Sequence, residues 1–368
     1  MSTNNNTNAI TPKVGKYGSV QQHLCLTASA PISYPTFTVR LGNSGLKNIT
    51  PGCMSYGSTT WQEWLLGEKE GLEHIKFAYE NGINTFDTAD VYSNGESERI
   101  LGKALKEYNI PRETVVIMTK VCFTVREDGG PPILEGADEL GFVNRHGLSR
   151  KHIFASVKDS LKRLDVDYID VLQCHRFDPT TPIEEIMQAL HDVVKAGYVR
   201  YIGMSSCYAW QFYAMQSYAI AHNLTPFISM QNHHSLLYRE EEREMLPLLK
   251  HLGVGCIPWS PLARGTLTRP WDETSARGTT DTWAGIYRGN NGSEAIVRRV
   301  EELAKKKGVK MAQIAVAWSL KRVTAPIVGT TKLENLKEMI EALDIELTEE
   351  EAKYLEEPYL PNAVVGHN

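Results

Sequence analysis

Short apolar runs and amphipathic stretches alternate along this chain from about residue 49 onward. Leu72, Ile75 and Tyr79 fall on one helical face, and "INTFDT" follows as a strand. Ile100, Leu101, Ala104, Leu105 and Tyr108 share a second helical face, ahead of the run "TVVIMTKV". Ile153, Val157, Leu161 and Leu164 precede "YIDVLQCH". Thr181, Pro182, Ile183 and Glu184 read as a capping box with proline at the first helical position, and Gly197 closes that helix. "VRYIGMSS", a helix near 208–223, "PFISMQ", a helix near 239–252 and "VGCIPWS" continue the rhythm. Helices over 293–308 and 310–322 lead to "APIVGTT" and a helix over 332–343, and Thr348 with Glu351 caps one more.

With "ITPGCMS" near residue 50, the pattern predicts eight strands, most of them unbroken apolar runs. Unbroken runs mark a parallel sheet covered on both faces, whereas an antiparallel sheet with one wet face alternates. Eight strand–helix units predict an α/β protein, a (β/α)8 TIM barrel. The rival is a doubly wound sheet, which would carry a Gly-x-Gly-x-x-Gly turn after its first strand, and none is present. Gly42, Asn43, Ser44 and Gly45 mark an N-terminal β-hairpin ahead of the barrel, and extra helices follow it. Residues 1–35, rich in Asn, Thr, Ser and Pro, are expected to form an irregular tail, with 36–368 a single domain. Pro51 lacks a ladder donor, so the first strand should be short.

Charge and composition narrow the function. A net charge of −5 and a pI near 6.2 provide no basic face for nucleic acid or acidic lipid. No apolar run approaches the ~18 residues of a membrane span, and the start of the chain lacks a secretory signal pattern. Cys25, Cys53, Cys122, Cys174, Cys207 and Cys256 are scattered without metal or disulfide spacing. Four of them, Cys53, Cys122, Cys174 and Cys256, adjoin apolar runs and are read as buried reduced thiols. A cytoplasmic protein is expected, with a small-molecule substrate and no metal.

Candidate chemistry gathers at the C-terminal ends of the strands, where such barrels keep their catalytic groups. The second strand ends in Asp87 with Tyr92 close behind, the third in Lys120, and the fourth in Gln173, Cys174, His175 and Arg176. A free phenol titrates near ~10, and an ammonium beside it is expected to lower that value. A carboxylate paired to the lysine would keep it charged and aimed, while the histidine donates a hydrogen bond to a substrate oxygen. This equipment protonates a carbonyl oxygen as hydride reaches its carbon.

The motifs "FDTADVYSNGESERILGKAL", "VVIMTKV", "IDVLQCHRFD", "YIGMSS", "SMQN", "IPWSPLARGTL" and "PIVGTTKLENLKE", in this order, resemble the aldo-keto reductase family from about residue 36 to about 360. Within it the chain is most similar to fungal members of the versiconal hemiacetal acetate reductase and aryl-alcohol dehydrogenase kind. The resemblance implies a tetrad of Asp87, Tyr92, Lys120 and His175 and NADPH bound without a Rossmann fold. It implies that Ser205, Ser206 and Gln231 hold the carboxamide and Trp259 stacks on the nicotinamide. Ser260, Leu262, Arg264 and Gly265 would line the pyrophosphate path, and Gly329, Thr330, Thr331, Lys332, Asn335 and Glu338 the adenosine phosphate end. Lys332, at a helix start, suits the extra phosphate of NADPH over NADH.

The loops speak to substrate. Tyr56, Trp61 and Trp64 follow the first strand and, as pocket walls, would favour a flat, aromatic or polyketide-like aldehyde or ketone. Arg176 is open to two readings, contact with an acidic substrate or an internal ion pair with Asp178 or another carboxylate. His233 and His234 lack a second ligand cluster and read as surface or pocket residues. A different class remains open beside the enzyme, an NADPH-binding regulatory or redox-sensing subunit with little turnover. Oligomeric state has no signal in the sequence.

Overall fold

The computed structural model describes residues 49–133, 136–274, 278, 280–281, 283–289 and 291–367. The expected tail and hairpin lie outside these residues. Strands Thr85–Asp87 (β2), Val116–Val121 (β3), Ile169–Cys174 (β4), Val199–Ser205 (β5), Phe227–Gln231 (β6) and Gly255–Cys256 (β7) form a six-stranded sheet in chain order, every pair parallel. Thr50–Pro51 (β1) pairs in parallel with Ile327–Val328 (β8). Every residue of β3 is buried, as its unbroken apolar run requires.

Prolines explain why the ladder divides. Thr50 N donates to Pro326 O at 3.1 Å and Gly52 N to Val328 O at 2.8 Å, so β1 faces β8 with donors on either side of Pro51. The nitrogen of Pro51 has nothing to offer β2, and a single bridge, Gly52 to Asp87, joins β1 to it. On the other flank Ile327 N donates to Pro258 O at 2.9 Å, while Pro258 and Pro326 cannot donate themselves.

Helices between the strands are Glu68–Glu80 (α1), Glu96–Glu107 (α2), Arg150–Leu164 (α3), Ile183–Lys195 (α4), Ala209–Ala221 (α5) and Met245–Leu252 (α6). Ala284–Gly289 (α7), Ser293–Lys307 (α8), Met311–Arg322 (α9), Leu333–Glu341 (α10) and Glu349–Glu356 (α11) follow. The expected faces are the buried ones, with Leu72, Ile75 and Tyr79 inside on α1 and Ile100, Leu101, Ala104 and Leu105 on α2. Gly308, at φ 68°, ends α8 in the left-handed conformation that glycine adopts without strain.

Two helix starts differ from expectation. α4 begins at Ile183 with Pro182 as its cap, because the Thr181 hydroxyl donates to Asp178 Oδ2 at 2.7 Å instead of capping. The stretch near 239–252 breaks into a 3-10 turn, Glu240–Glu242, and then α6. Thr348 and Glu351 do form the reciprocal box, with Glu351 N to Thr348 Oγ1 at 3.1 Å and Thr348 N to Glu351 Oε2 at 3.0 Å.

The main core fills the space between the sheet and α1 to α6. A second cluster, centred on Trp318, packs α8, α9 and α11 together. Cys53, Cys122, Cys174, Cys207 and Cys256 are buried free thiols. Among the described residues no helix is long and apolar enough to cross a membrane, and no cluster of three metal-binding side chains exists.

Candidate active site

Asp87 is the last residue of β2, Lys120 the next to last of β3, and His175 follows β4 directly. Lys120 and Gln173 are register partners across β3 and β4, and Gln173 pairs in turn with Gly203 of β5. A Cβ on Gly203 would meet Ser229 Oγ at 2.5 Å and Gln173 Cγ at 3.2 Å, so only glycine leaves room here for the glutamine. Strand parity thus puts Lys120, Gln173 and His175 on one face, near the C-terminal ends of their strands.

Lys120 is wholly buried, and its ammonium spends all three of its N–H groups. It donates to Asp87 Oδ2 at 2.6 Å, to Thr88 O at 2.8 Å and to Tyr92 OH at 3.2 Å. Asp87 Oδ1 accepts from Gln173 Nε2 at 3.0 Å and from Gln231 Nε2 at 2.8 Å. An isolated charge at this depth would be costly, and these amides and the ion pair offset that cost. Burial works against the Lys120 charge, yet Asp87 first and then Tyr92 hold its pKa above the ordinary lysine value.

The phenol differs from expectation. Lys120 pulls the Tyr92 pKa down, but burial is the larger effect and leaves it above the ordinary tyrosine value. Tyr92 is therefore protonated near neutrality, and because it accepts from Lys120, its own hydrogen is free to point elsewhere. The His175 ring lies 5.7 Å from the Tyr92 ring, edge to face, and Phe123 lies 5.0 Å beyond His175. Burial first, then the charges of Lys120 and Arg176, push the His175 pKa well below the usual histidine value, so its imidazole is neutral. Its buried Nδ1 has no partner, and we assign the proton to Nε2 on that basis, since a buried bare lone pair costs less than a buried orphan N–H.

The turn carrying Tyr92 is constrained. Ser93 and Asn94 adopt left-handed backbone, at φ 49° and 53°. Asn94 ties this turn to the loop after β3, its Nδ2 donating to Gly130 O at 2.8 Å and its Oδ1 accepting from Arg126 N at 3.0 Å.

The residues expected at a cofactor lie along the same rim. Ser205 Oγ donates to Gln231 O at 2.7 Å, and Trp259 Nε1 donates to Ser206 Oγ at 2.9 Å. The Gln231 amide nitrogen is committed to Asp87 and Gln173, so only its oxygen is open to a carboxamide. One face of Trp259 is stacked on His233, with ring centroids 4.1 Å apart. His233 and His234 are buried rather than at the surface; His233 lies between Trp259 and Tyr238 and shares a 2.7 Å hydrogen bond with Tyr287 OH. Ser260, Arg264 and Gly265 follow β7 with positive φ, a tight reversal that begins after Trp259 and passes Leu262. Arg264 pairs with Asp281 Oδ2 at 2.5 Å. Gly329, Thr330 and Thr331 lead from β8 to Lys332, the exposed cap of α10, which carries Asn335 and Glu338.

Among the expected substrate residues, Trp61 lies 6.3 Å from the Tyr92 ring and Trp64 is partly buried nearby in sequence. Tyr56 does not line the site and corrects that expectation. It sits in the main core, edge-on to His74 of α1 at 5.6 Å, because Gly71 opens a slot for its ring. Arg176 donates to His175 O at 2.6 Å and has no bond to Asp178. Asp178 is filled by Leu148 N, Thr180 and Thr181 instead. Sequence reading placed Gln173 at the end of the fourth strand without giving it a role and passed over Phe123. The i, i+2 spacing of Gln173 from His175 was the available signal for the first.

Known proteins resemble this chain over most of its length. A family profile described as "Aldo/keto reductase family" matches residues 48–359. The chain is 52% identical over 335 residues to versiconal hemiacetal acetate reductase of Aspergillus parasiticus, covering 88% of this chain and 97% of that one. It is 51% identical over 339 residues to an aryl-alcohol dehydrogenase-like protein of Schizosaccharomyces pombe, covering 89% and 96%. An aldo-keto reductase of Alternaria alternata is 48% identical over 343 residues, covering 89% and 93%.

Proposed function

The chain belongs to the aldo/keto reductase family and is an oxidoreductase acting on carbonyl groups, and on that premise we propose that it reduces an aldehyde or ketone to the alcohol with NADPH, Tyr92 supplying the proton. The observation that carries this reading is the Lys120 ammonium, three donors spent, 3.2 Å from the Tyr92 oxygen. The strands close as a (β/α)8 barrel, a reading supported by the bridge from Gly52 to Asp87 and the Ile327 N to Pro258 O bond across the two gaps. The described residues from 49 to 367 belong to one domain working in the cytoplasm, in keeping with its buried free thiols.

Each residue has a distinct task. His175, neutral, donates from Nε2 to the substrate oxygen and orients it. Tyr92 gives its proton to that oxygen as negative charge develops there, and the adjacent ammonium stabilises the phenolate left behind. Asp87, fixed by two glutamine amides, keeps Lys120 charged and in place. A raised phenol pKa suits the reductive direction, since the acid stays loaded at neutral pH.

The donor set fits a reduced dinucleotide, which when bound supplies the hydride. Ser205, Ser206 and the Gln231 oxygen offer neutral hydrogen-bonding groups for a carboxamide, and Trp259 would stack on the nicotinamide with the indole face that His233 does not cover. Ser260, Leu262, Arg264 and Gly265 border the diphosphate. Thr330, Thr331, Lys332, Asn335 and Glu338 meet the adenosine end, where exposed Lys332 at a helix start favours a phosphate. Trp61 and Phe123 flank the Tyr92 and His175 rings, which supports an aromatic or polyketide-like substrate.

The decisive test is Tyr92→Phe. Carbonyl-dependent NADPH oxidation should fall by about 10³-fold or more, while NADPH binding, followed by fluorescence titration, changes little. Turnover that survives this change would remove Tyr92 as the acid.

A further inference from the structure

Arg176 is a partly buried cation beside the reacting groups, and among the described residues no acid pairs with it. Its one hydrogen bond to another residue is Nη1 to His175 O at 2.6 Å, and among the described residues it has no ion pair. Most other partly buried arginines do not share this condition, Arg269 excepted, whose guanidinium donates to Gly265 O and Thr268 Oγ1. Arg112 pairs with Asp170, Arg163 with Glu98, Arg239 with Glu242 and Arg264 with Asp281. The nearest acid in sequence, Asp178, accepts from Leu148 N at 2.7 Å, Thr180 N at 2.8 Å, Thr180 Oγ1 at 2.6 Å and Thr181 Oγ1 at 2.7 Å. It has no capacity left for a guanidinium.

The location of this cation is specific. Its guanidinium lies 5.9 Å over the Phe123 ring, which contacts His175, which contacts Tyr92. Its charge acts on the Tyr92 phenol and the His175 imidazole, and burial lowers its own pKa. Burying a guanidinium unpaired costs free energy that a bidentate carboxylate recovers. Since Arg176 follows His175 in the chain, its reach from a carbonyl held by Tyr92 and His175 is short.

We propose that Arg176, unpaired and adjoining the Tyr92–His175 pair, recognises a carboxylate carried a few bonds from the carbonyl of the substrate. This rests on the carbonyl-reductase reading and names a substrate class within it: acidic carbonyl compounds, with Phe123 and Trp61 as the apolar walls.

The test compares phenylglyoxylate with its methyl ester in the wild type, Arg176→Leu and Arg176→Lys, and titrates benzoate into each protein with NADP+ present. Wild type should prefer the acid. The acid-to-ester ratio of kcat/KM should fall about 10- to 100-fold in Arg176→Leu, with Arg176→Lys intermediate, and benzoate binding should weaken in the same order. An unchanged ratio with unchanged benzoate affinity would overturn the proposal. So would weakened NADPH binding with the ratio intact, which assigns the guanidinium to a cofactor phosphate. Benzoate binding that depends on Arg176 without turnover of either carbonyl would sustain the anion site and sink the reductase reading instead.

Discussion

Asp90 shows how a single residue near the chemistry carries a stability cost. It lies two positions before Tyr92 and is wholly buried, with Oδ2 accepting from Ser156 Oγ at 2.8 Å and Oδ1 unpartnered. Burial first, then the charge of Glu98, push its carboxyl up to about 7. A folded value above the unfolded one means the folded state binds the extra proton. Stability from this group is therefore fully present below about pH 4 and lost as pH rises toward 7. In Asp90→Asn the slope of unfolding free energy between those pH values should flatten, and the variant should gain up to a few kcal/mol at pH 8, read from urea midpoints. An unaltered slope would mean that Asp90 is ionised throughout. In sequence Asp90 is one of two acids in "FDTADVY"; its burial depends on helix α3, sixty residues away, so nothing local distinguished it.

Among the elements, the α2–α3 contact is a close approach that composition conceals. Gly102 lies mid-helix in α2, where alanine is favoured by about 1 kcal/mol on propensity alone. A Cβ there would stand 2.2 Å from Leu164 O of α3. A backbone oxygen cannot swing aside as a flexible side chain does, so the clash outweighs the propensity gain. Gly102→Ala should lower stability by about 1–3 kcal/mol, seen as a several-degree fall in Tm; a rise would show that the helices separate easily. The periodic faces of α1 and α2 were legible because each buries one stripe. The start of α4 was misread because Thr181 had a better acceptor in Asp178. The break before α6 was missed because the acidic run ahead of it kept a helix-like pattern.

Across the whole molecule, the proposed cofactor path separates chemistry from selectivity. Tyr92 lies past β2 and Lys120 near the end of β3, while Lys332 caps α10 after β8, 240 residues away in the chain from Tyr92. Lys332→Glu should weaken NADPH by about tenfold and NADH by less than about twofold, with little change in turnover at saturating cofactor. Comparable losses for both cofactors, in parallel fluorescence titrations, would remove the phosphate contact. The adjacency of β1 and β8 brings these distant segments to one rim.

The order of strands and helices, the residue types at the strand ends and the family were determined by sequence alone, because parallel strands read as apolar runs and catalytic groups recur at their C-terminal ends. Only the tertiary structure decided the rest. It closed the Lys120 donor set through Thr88 O, clamped Asp87 with Gln173 and Gln231, turned Tyr56 into the core and left Arg176 without an acid. It also reversed the expected shift of the Tyr92 phenol. Each of these outcomes is a balance of burial against partners contributed by other strands, and such a balance exists only once the chain has folded.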